Sequence, residues 1–271
     1  MKGCPLRCVW CHNPESKSAA EQLMFYRHKC TLCGRCLDCK SRTVDGNGLH
    51  IDYDTCTSCG KCVSACRAGA NEICGRTCTT EEIFDEVMQD GIFYGDDGGM
   101  TLSGGEPGMQ PEASLDLLRR AKDAGITTVV ETSGQAARSF FRDALPLTTW
   151  FYYDLKGMDD AKHRENTGVS NGAILENLGY LFSEGANVVI RIPLVPGFND
   201  SDEDLALLRA YLVAHSDAIH HAEIMKYHYF GSGKAAALGK PYAAPLRNAA
   251  AGETARWLAI LQNDKVRIGL S

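Results

Sequence analysis

No run of about 18 consecutive apolar residues occurs in the 271-residue chain, so no segment reads as a membrane-spanning helix. Positive charge is also in short supply. The 28 Lys and Arg stand against 34 Asp and Glu, a formal net charge of -6, which argues against a nucleic-acid surface. Nucleic acid and membrane are both set aside as partners. The third shortage is local: all 13 cysteines lie between Cys4 and Cys78, and none follows. An odd number of cysteines crowded into the front of a chain long enough for an ordinary core speaks against a disulfide framework. Metal ligands in a reducing compartment fit better, and the expected location is the cytoplasm. The break in composition also predicts domains: a loop over 1–24, a cysteine-dense insert over 25–79 held by clusters rather than by an apolar core, and the main domain over 80–271.

The cysteines fall into groups. Cys4, Cys8 and Cys11 stand in GCPLRCVWCHN with the spacing C-x3-C-x2-C, one corner short of a metal tetrahedron. Cys30, Cys33, Cys36 and Cys39 follow, and then Cys56, Cys59, Cys62 and Cys66 with the spacing C-x2-C-x2-C-x3-C. That second spacing is the one used by two-cluster ferredoxins, in which three cysteines bind one 4Fe-4S cluster and the fourth binds its neighbour. Cross-ligation predicts Cys30, Cys33, Cys36 and Cys66 on one cluster and Cys56, Cys59, Cys62 and Cys39 on the other. Two departures are visible: the first repeat closes with x2, and Arg67 stands where proline usually follows the last cysteine. Structural zinc is the alternative, although three evenly spaced cysteines per repeat suit a cubane face better than paired zinc ligands. Cys74 and Cys78 are left between packing and an alternative ligand role.

Beyond the cysteines, short β-branched or apolar runs at 99–103, 126–132, 150–155, 187–194 and 222–228 read as five strands. Helical patterns separate them. Thr79 and Glu82 form a capping box, Pro111 opens a helix that Gly125 closes, Ile174, Leu175, Leu178 and Leu181 make one stripe, and Ser201 caps a helix with an acidic first turn. Alternating strands and helices mean a parallel sheet. Polar motifs fall just after the strands, namely SGGEP (103–107), ETSGQ (131–135), DLKG (154–157), PLVPGFND (193–200) and KYHYFG (226–231). Functional groups at the C-terminal strand ends are the habit of β/α barrels, so a barrel, complete or partial, is expected.

The trio of cysteines with SGGEP, DLK, VPGFND and YHYFG, in this order, resembles the radical S-adenosylmethionine (SAM) superfamily. More narrowly, the chain is similar to the glycyl-radical-enzyme activating enzymes related to pyruvate formate-lyase activase, in the branch with a two-cluster ferredoxin insert. The resemblance implies an α/β fold: a partial radical SAM barrel with an inserted ferredoxin-like domain carrying two 4Fe-4S clusters. It also implies that the first barrel strand is missing, because the family has some residues before the cysteine loop; an upstream start or a truncated record is the expectation. Cys4, Cys8 and Cys11 would hold a third cluster with one iron free for SAM. In the family, an electron from that cluster cleaves SAM to methionine and a 5'-deoxyadenosyl radical, which takes a hydrogen atom from a glycine Cα of a large partner enzyme.

By the same resemblance Gly104 and Gly105 would let the backbone approach SAM, and Glu106 would lie near its amino group. Lys156, on the same side of its strand end as Asp154, would pair with the SAM carboxylate. Trp10 and His12 would pack near adenine, and Arg191 and His228 would contact SAM. Glu131 and Thr132, with Asp154 and the Tyr152 backbone, match a monovalent-cation site, with Glu in place of the family's Asp. Each has an ordinary counterpart: a tight turn at the glycines, a solvated pair at Asp154 and Lys156, a core tryptophan, a structural histidine, an arginine satisfying a buried carboxylate. The implied partners are a glycyl radical enzyme and a flavodoxin or ferredoxin as electron donor. Rival readings are a radical SAM enzyme acting on a peptide or small molecule, a non-catalytic iron-sulfur electron carrier, and a zinc-binding interaction module.

Overall fold

The computed structural model describes residues 1–242 and 246–271. In the cysteine-dense segment, strand β1 (Gln22–Phe25) pairs antiparallel with β4 (Asn71–Cys74), Gln22 lying opposite Cys74. Between them run the hairpin of β2 (Arg42–Asp45) and β3 (Gly48–Ile51) and the short helix α1 (Lys61–Ala65). The pairing closes the segment at 22 and 74, a few residues ahead of the predicted 25–79, because backbone hydrogen bonds rather than composition bring its ends together. Its apolar core amounts to Phe25, Leu49 and Ala70, with Cys30, Cys36 and Cys66 packed against them. A core of that size cannot hold such a segment without cross-links. Cys74 packs against the small cluster of Met24, Ala237 and Leu238, a packing role.

The remainder alternates strand and helix. Helix α2 (Thr80–Met88) opens on the expected box: Thr79 Oγ1 accepts from Glu82 N at 3.1 Å while the Glu82 carboxylate accepts from Thr79 N at 2.8 Å. There follow β5 (Gly99–Leu102), α3 (Pro111–Asp123), β6 (Thr127–Thr132), α4 (Arg138–Ala144), β7 (Trp150–Asp154), α5 (Asp160–Thr167), α6 (Gly172–Ser183) and β8 (Val188–Leu194). The chain ends with α7 (Asp202–Ala214), β9 (His221–Lys226), α8 (Gly231–Ala237), α9 (Ala251–Leu261) and β10 (Ile268–Leu270). Ser201 caps α7 by accepting from Asp204 N at 3.2 Å, as expected.

Strands β5 to β10 form one parallel sheet in strictly sequential order. Monotonic order with right-handed crossovers keeps the helices on one face, which is barrel geometry; a doubly wound sheet reverses its order at a switch point. The sheet has six strands, so the expectation of five is corrected: β10 pairs Ile268 to Leu270 with Ala222 to Ile224, and its three residues with a central glycine carry too little pattern to be recognised. Among the described residues no helix is long and apolar enough to cross a membrane.

Strand alternation separates two faces. Phe151 and Tyr153 on β7, Ile190 and Ile192 on β8, and Ala222 and Ile224 on β9 join Leu118, Leu178, Leu181 and Trp257 from the helices in the main core. Each leucine, isoleucine or phenylalanine among them, fully buried, contributes about 1.5–3 kcal/mol of transfer free energy. The intervening residues, Glu131, Tyr152, Asp154, Arg191, Pro193, Glu223 and Met225, point to the opposite face, which the helices leave open.

Candidate active site

That opposite face and the N-terminal loop enclose a cavity of about 420 Å³. Cys4, Cys8 and Cys11 line it together with Trp10, His12, Gly104, Gly105, Asp154, Lys156, Arg191 and His228. Of the predicted site residues outside the insert, only Glu106 is absent from the lining.

The cysteine loop is braced from several sides. Arg7 N donates to Thr167 O at 2.7 Å and Val9 N to Asn166 O at 3.0 Å, fixing the loop to the end of α5. Lys17 Nζ donates to Cys8 O at 3.0 Å, Tyr242 Oη to Cys11 O at 3.2 Å, and Lys234 Nζ to Asn13 Oδ1 at 2.8 Å. The backbone of residues 1–3 runs against the SGGEP turn, where Gly105 N donates to Met1 O at 2.9 Å and Glu106 N to Gly3 O at 2.8 Å. A Cβ on Gly104 would stand 2.4 Å from Met1 O, and one on Gly105 would stand 2.1 Å from Gly3 O. These glycines are therefore required by the close approach of the N-terminal segment. Both also line the cavity.

Lys156 Nζ donates to Asp154 Oδ2 at 2.6 Å. Burial by itself would lower the lysine pKa, but the Asp154 carboxylate more than reverses this, and the cation is secure. Burial pushes the Cys8 thiol up to about 12 and raises the Cys4 thiol too. Trp10 is buried edge-on to Phe198 at 6.0 Å, so it serves the small core behind the loop as well as the cavity wall. His12 lies tilted against Tyr227 with ring centroids 5.1 Å apart, and its Nε2 accepts from His228 N at 3.4 Å; burial and the neighbouring His228 lower its pKa.

Three expectations change. Glu106 does not face the cavity. It is fully buried, and its carboxylate accepts from Thr132 Oγ1 at 2.7 Å, Ser133 N at 2.8 Å and Ser133 Oγ at 2.6 Å, so it ties the turn after β5 to the end of β6. Arg191 is ion-paired with Glu131 and lies 3.5 Å from Glu223, with its guanidinium over the Tyr152 ring. The arginine satisfies carboxylates on its own face while still lining the cavity. The oxygens expected to hold a monovalent cation are engaged elsewhere: Glu131 with Arg191 and Ser103, Thr132 with Glu106, Asp154 with Lys156. Glu131 is long enough to reach across β7 to Arg191, and the residues do not fit a cation.

Sequence reasoning missed Asn199 as an individual residue, although PGFND contains it. Its Nδ2 donates to Lys156 O at 2.9 Å and Pro193 O at 2.7 Å, and its Oδ1 accepts from Val195 N at 2.8 Å, so it holds the Lys156 turn against the β8 turn. Asp200 beside it accepts from Trp257 Nε1 at 3.1 Å.

Residues 1–208 match the model of the Radical SAM superfamily. The chain belongs to that superfamily. It is 41% identical to the isethionate sulfite-lyase activating enzyme of Oleidesulfovibrio alaskensis over 86% of its own length and 78% of the relative's. It is 38% identical to the choline trimethylamine-lyase activating enzyme of the same bacterium, over 89% and 81%. Among solved structures, a domain of pyruvate-formate lyase-activating enzyme from Bacteroides vulgatus superposes with a TM-score of 0.53 at 23% identity, covering 64% of this chain and 98% of that one; it speaks to the fold alone.

The donor set of this radical SAM protein suits an iron-sulfur cluster: three free thiols on one cavity wall, with a protonated lysine beside them. Among the described residues no three His, Cys, Asp or Glu groups converge on a single metal-ion position. A cubane, which offers its irons at separate corners, asks for a different arrangement from a zinc ion.

The two cysteine repeats of the insert share a backbone conformation. Leu32 and Ser58, each just before the second cysteine of its repeat, have φ of 54° and 51°, and Gly34 and Gly60 just after it have φ of 75° and 76°. A left-handed non-glycine residue costs about 1–2 kcal/mol, so its recurrence at equivalent positions marks an imposed loop shape. In both loops the backbone N–H two residues on, from Arg35 or Lys61, holds the pKa of the second thiol down, aided by Thr31 or Thr57. Cys30, Cys33, Cys36 and Cys66 line one small cavity together, the grouping that cross-ligation predicts.

Proposed function

We propose that this radical SAM protein is a glycyl-radical-enzyme activating enzyme, which cleaves SAM reductively and removes a hydrogen atom from a glycine Cα of a partner enzyme. The observation that carries the reading is the cavity in which Cys4, Cys8 and Cys11 meet the Lys156–Asp154 pair at the open ends of parallel strands, in a chain whose relatives are lyase activating enzymes. When bound, a 4Fe-4S cluster on those three thiolates supplies the electron that cleaves SAM to methionine and a 5'-deoxyadenosyl radical. The chain's own residues position the reactants. Lys156 offers a fixed cation for the SAM carboxylate, Trp10 and His12 form an apolar wall suited to adenine, and Arg191 and His228 border the rest of the cavity. Asn199 keeps the lysine turn in place through the Lys156 carbonyl.

The segment between β1 and β4 is read as a ferredoxin-like insert with one 4Fe-4S cluster on Cys30, Cys33, Cys36 and Cys66 and another on Cys56, Cys59, Cys62 and Cys39. The matched strain of the two loops supports this. A flavodoxin or ferredoxin is the donor that such clusters suit. The partner must present its glycine on a flexible loop, because a cavity of this size cannot admit a folded core. Relatives serving two different lyases in one bacterium are almost equally similar, so identity does not choose the partner.

The test is anaerobic reconstitution. About twelve irons per chain, a change in the electron paramagnetic resonance spectrum on adding SAM, release of 5'-deoxyadenosine, and a glycyl radical in a partner lyase are expected. Wild-type chain that shows neither the SAM-dependent spectrum nor deoxyadenosine would overturn the reading.

A further inference from the structure

Within the insert lies a buried charge with no opposite charge beside it. Arg42, at the start of β2, is 6% exposed. Its Nη1 lies 3.2 Å from Cys36 Sγ, and its Nη2 donates to Asn71 Oδ1 at 2.8 Å. Asn71 is itself buried and donates from Nδ2 to Cys62 O at 3.4 Å. The Arg42 backbone N donates to Cys39 O at 3.2 Å. One guanidinium thus touches Cys36 from the first repeat and reaches Cys62 of the second through a single asparagine. Among the described residues no carboxylate is ion-paired with it.

A buried guanidinium without a counter-charge is strongly unfavourable, and natural proteins keep one only where an anion completes it. Cubanes held by four thiolates are anionic, and their charge becomes more negative by one unit when each takes an electron from a low-potential donor. A fixed cation beside them favours the reduced form and raises the reduction potential, as hydrogen bonds to the sulfurs also do.

We propose that Arg42, held by Asn71, is the shared counter-charge of the two insert clusters and sets their reduction potentials above those the same clusters would have without it. This rests on the reading of the insert as a two-cluster domain, and the experiment separates the two ideas. The full chain, wild type, Arg42→Met and Arg42→Lys, is reconstituted anaerobically, its iron and sulfide are counted, and its clusters are titrated with dithionite under paramagnetic resonance. The cluster on Cys4, Cys8 and Cys11 is recognised by its response to SAM and serves as the internal reference. The expected result is full iron in Arg42→Met with both insert midpoints moved to more negative potential, the reference cluster unmoved, and Arg42→Lys closer to wild type. Fully loaded Arg42→Met with wild-type insert potentials, or with the reference cluster shifted equally, overturns the role of Arg42 and leaves the clusters standing. If Arg42→Met cannot hold the insert irons, Arg42→Lys decides: irons retained at near wild-type potentials uphold the charge, and irons lost there as well refute it. Wild-type chain with iron at the N-terminal trio only would refute the two-cluster insert and this proposal together.

Discussion

Replacing Glu106 by glutamine distinguishes a buried brace from a cofactor contact. In the structure one carboxylate oxygen accepts from Thr132 Oγ1, and the other accepts from both the backbone and the hydroxyl of Ser133. Glutamine keeps the shape and one acceptor but turns an NH2 toward at least one of these donors. The hydroxyls can rotate to accept instead. The Ser133 N–H cannot, so the amide keeps its oxygen on Ser133 and turns its NH2 to the Thr132 hydroxyl. What is lost is the charge-assisted character of the bonds, about 1–3 kcal/mol in all. For a chain of this size that corresponds to a fall of about 2–9 °C in melting midpoint. The assay is a thermal scan of reconstituted wild type and Glu106→Gln at one scan rate, with SAM affinity measured on each at a temperature where both are folded. The expectation is a lower midpoint with SAM affinity changed less than about threefold, a difference well under 1 kcal/mol. A variant with an unchanged midpoint and SAM affinity lowered tenfold or more would refute the brace and restore the contact that the motif alone suggests.

Three further outcomes follow from the geometry. Gly105→Ala puts a methyl 2.1 Å from Gly3 O, so the N-terminal segment must move; iron at the trio should fall while the insert irons stay, by iron count and the loss of the SAM-dependent signal. Lys156→Met removes the cation paired with Asp154, and SAM binding should weaken by at least tenfold with the melting midpoint changed by no more than a few degrees, read by calorimetry. Burial lowers the pKa of His163, whose ring nitrogen Nδ1 lies 2.8 Å from Val169 O. Its unfolded form takes up a proton first, so its contribution is whole above about pH 6.5 and is lost as pH falls through the depressed folded value. Wild type should therefore lose stability between pH 7 and 5.5 more steeply than His163→Gln in denaturant titrations.

Much of this was legible in the chain. The capping box at Thr79, the proline start of α3 and the Ser201 cap are local hydrogen-bond chemistry, and β5 to β9 announce themselves by β-branched runs that end at polar turns. The cysteine trio and the two repeats depend on spacing, which a short loop converts directly into geometry. What escaped was non-local. β10 is a strand only because β9 offers it an edge. SGGEP reads as a cofactor turn, yet its glycines admit residues 1–3 and its glutamate points inward, because the first residues of the chain and the end of β6 happen to be its neighbours.

The sequence by itself determined the ligand chemistry and the order of elements: which thiols exist, how far apart they sit along the backbone, and where strands give way to polar turns. Tertiary structure alone decided which of those groups share a space. Period-two alternation fixes that Glu131, Tyr152, Asp154 and Arg191 each leave their strand on one face, but only the strand register places Asp154 beside Arg191 and Arg191 beside Glu223. In the same way nothing in the residues around Arg42 foretells its burial between two cysteine loops. Burial and charge pairing arise between segments far apart in the chain, and a cation without a partner becomes visible only when every neighbour has been placed.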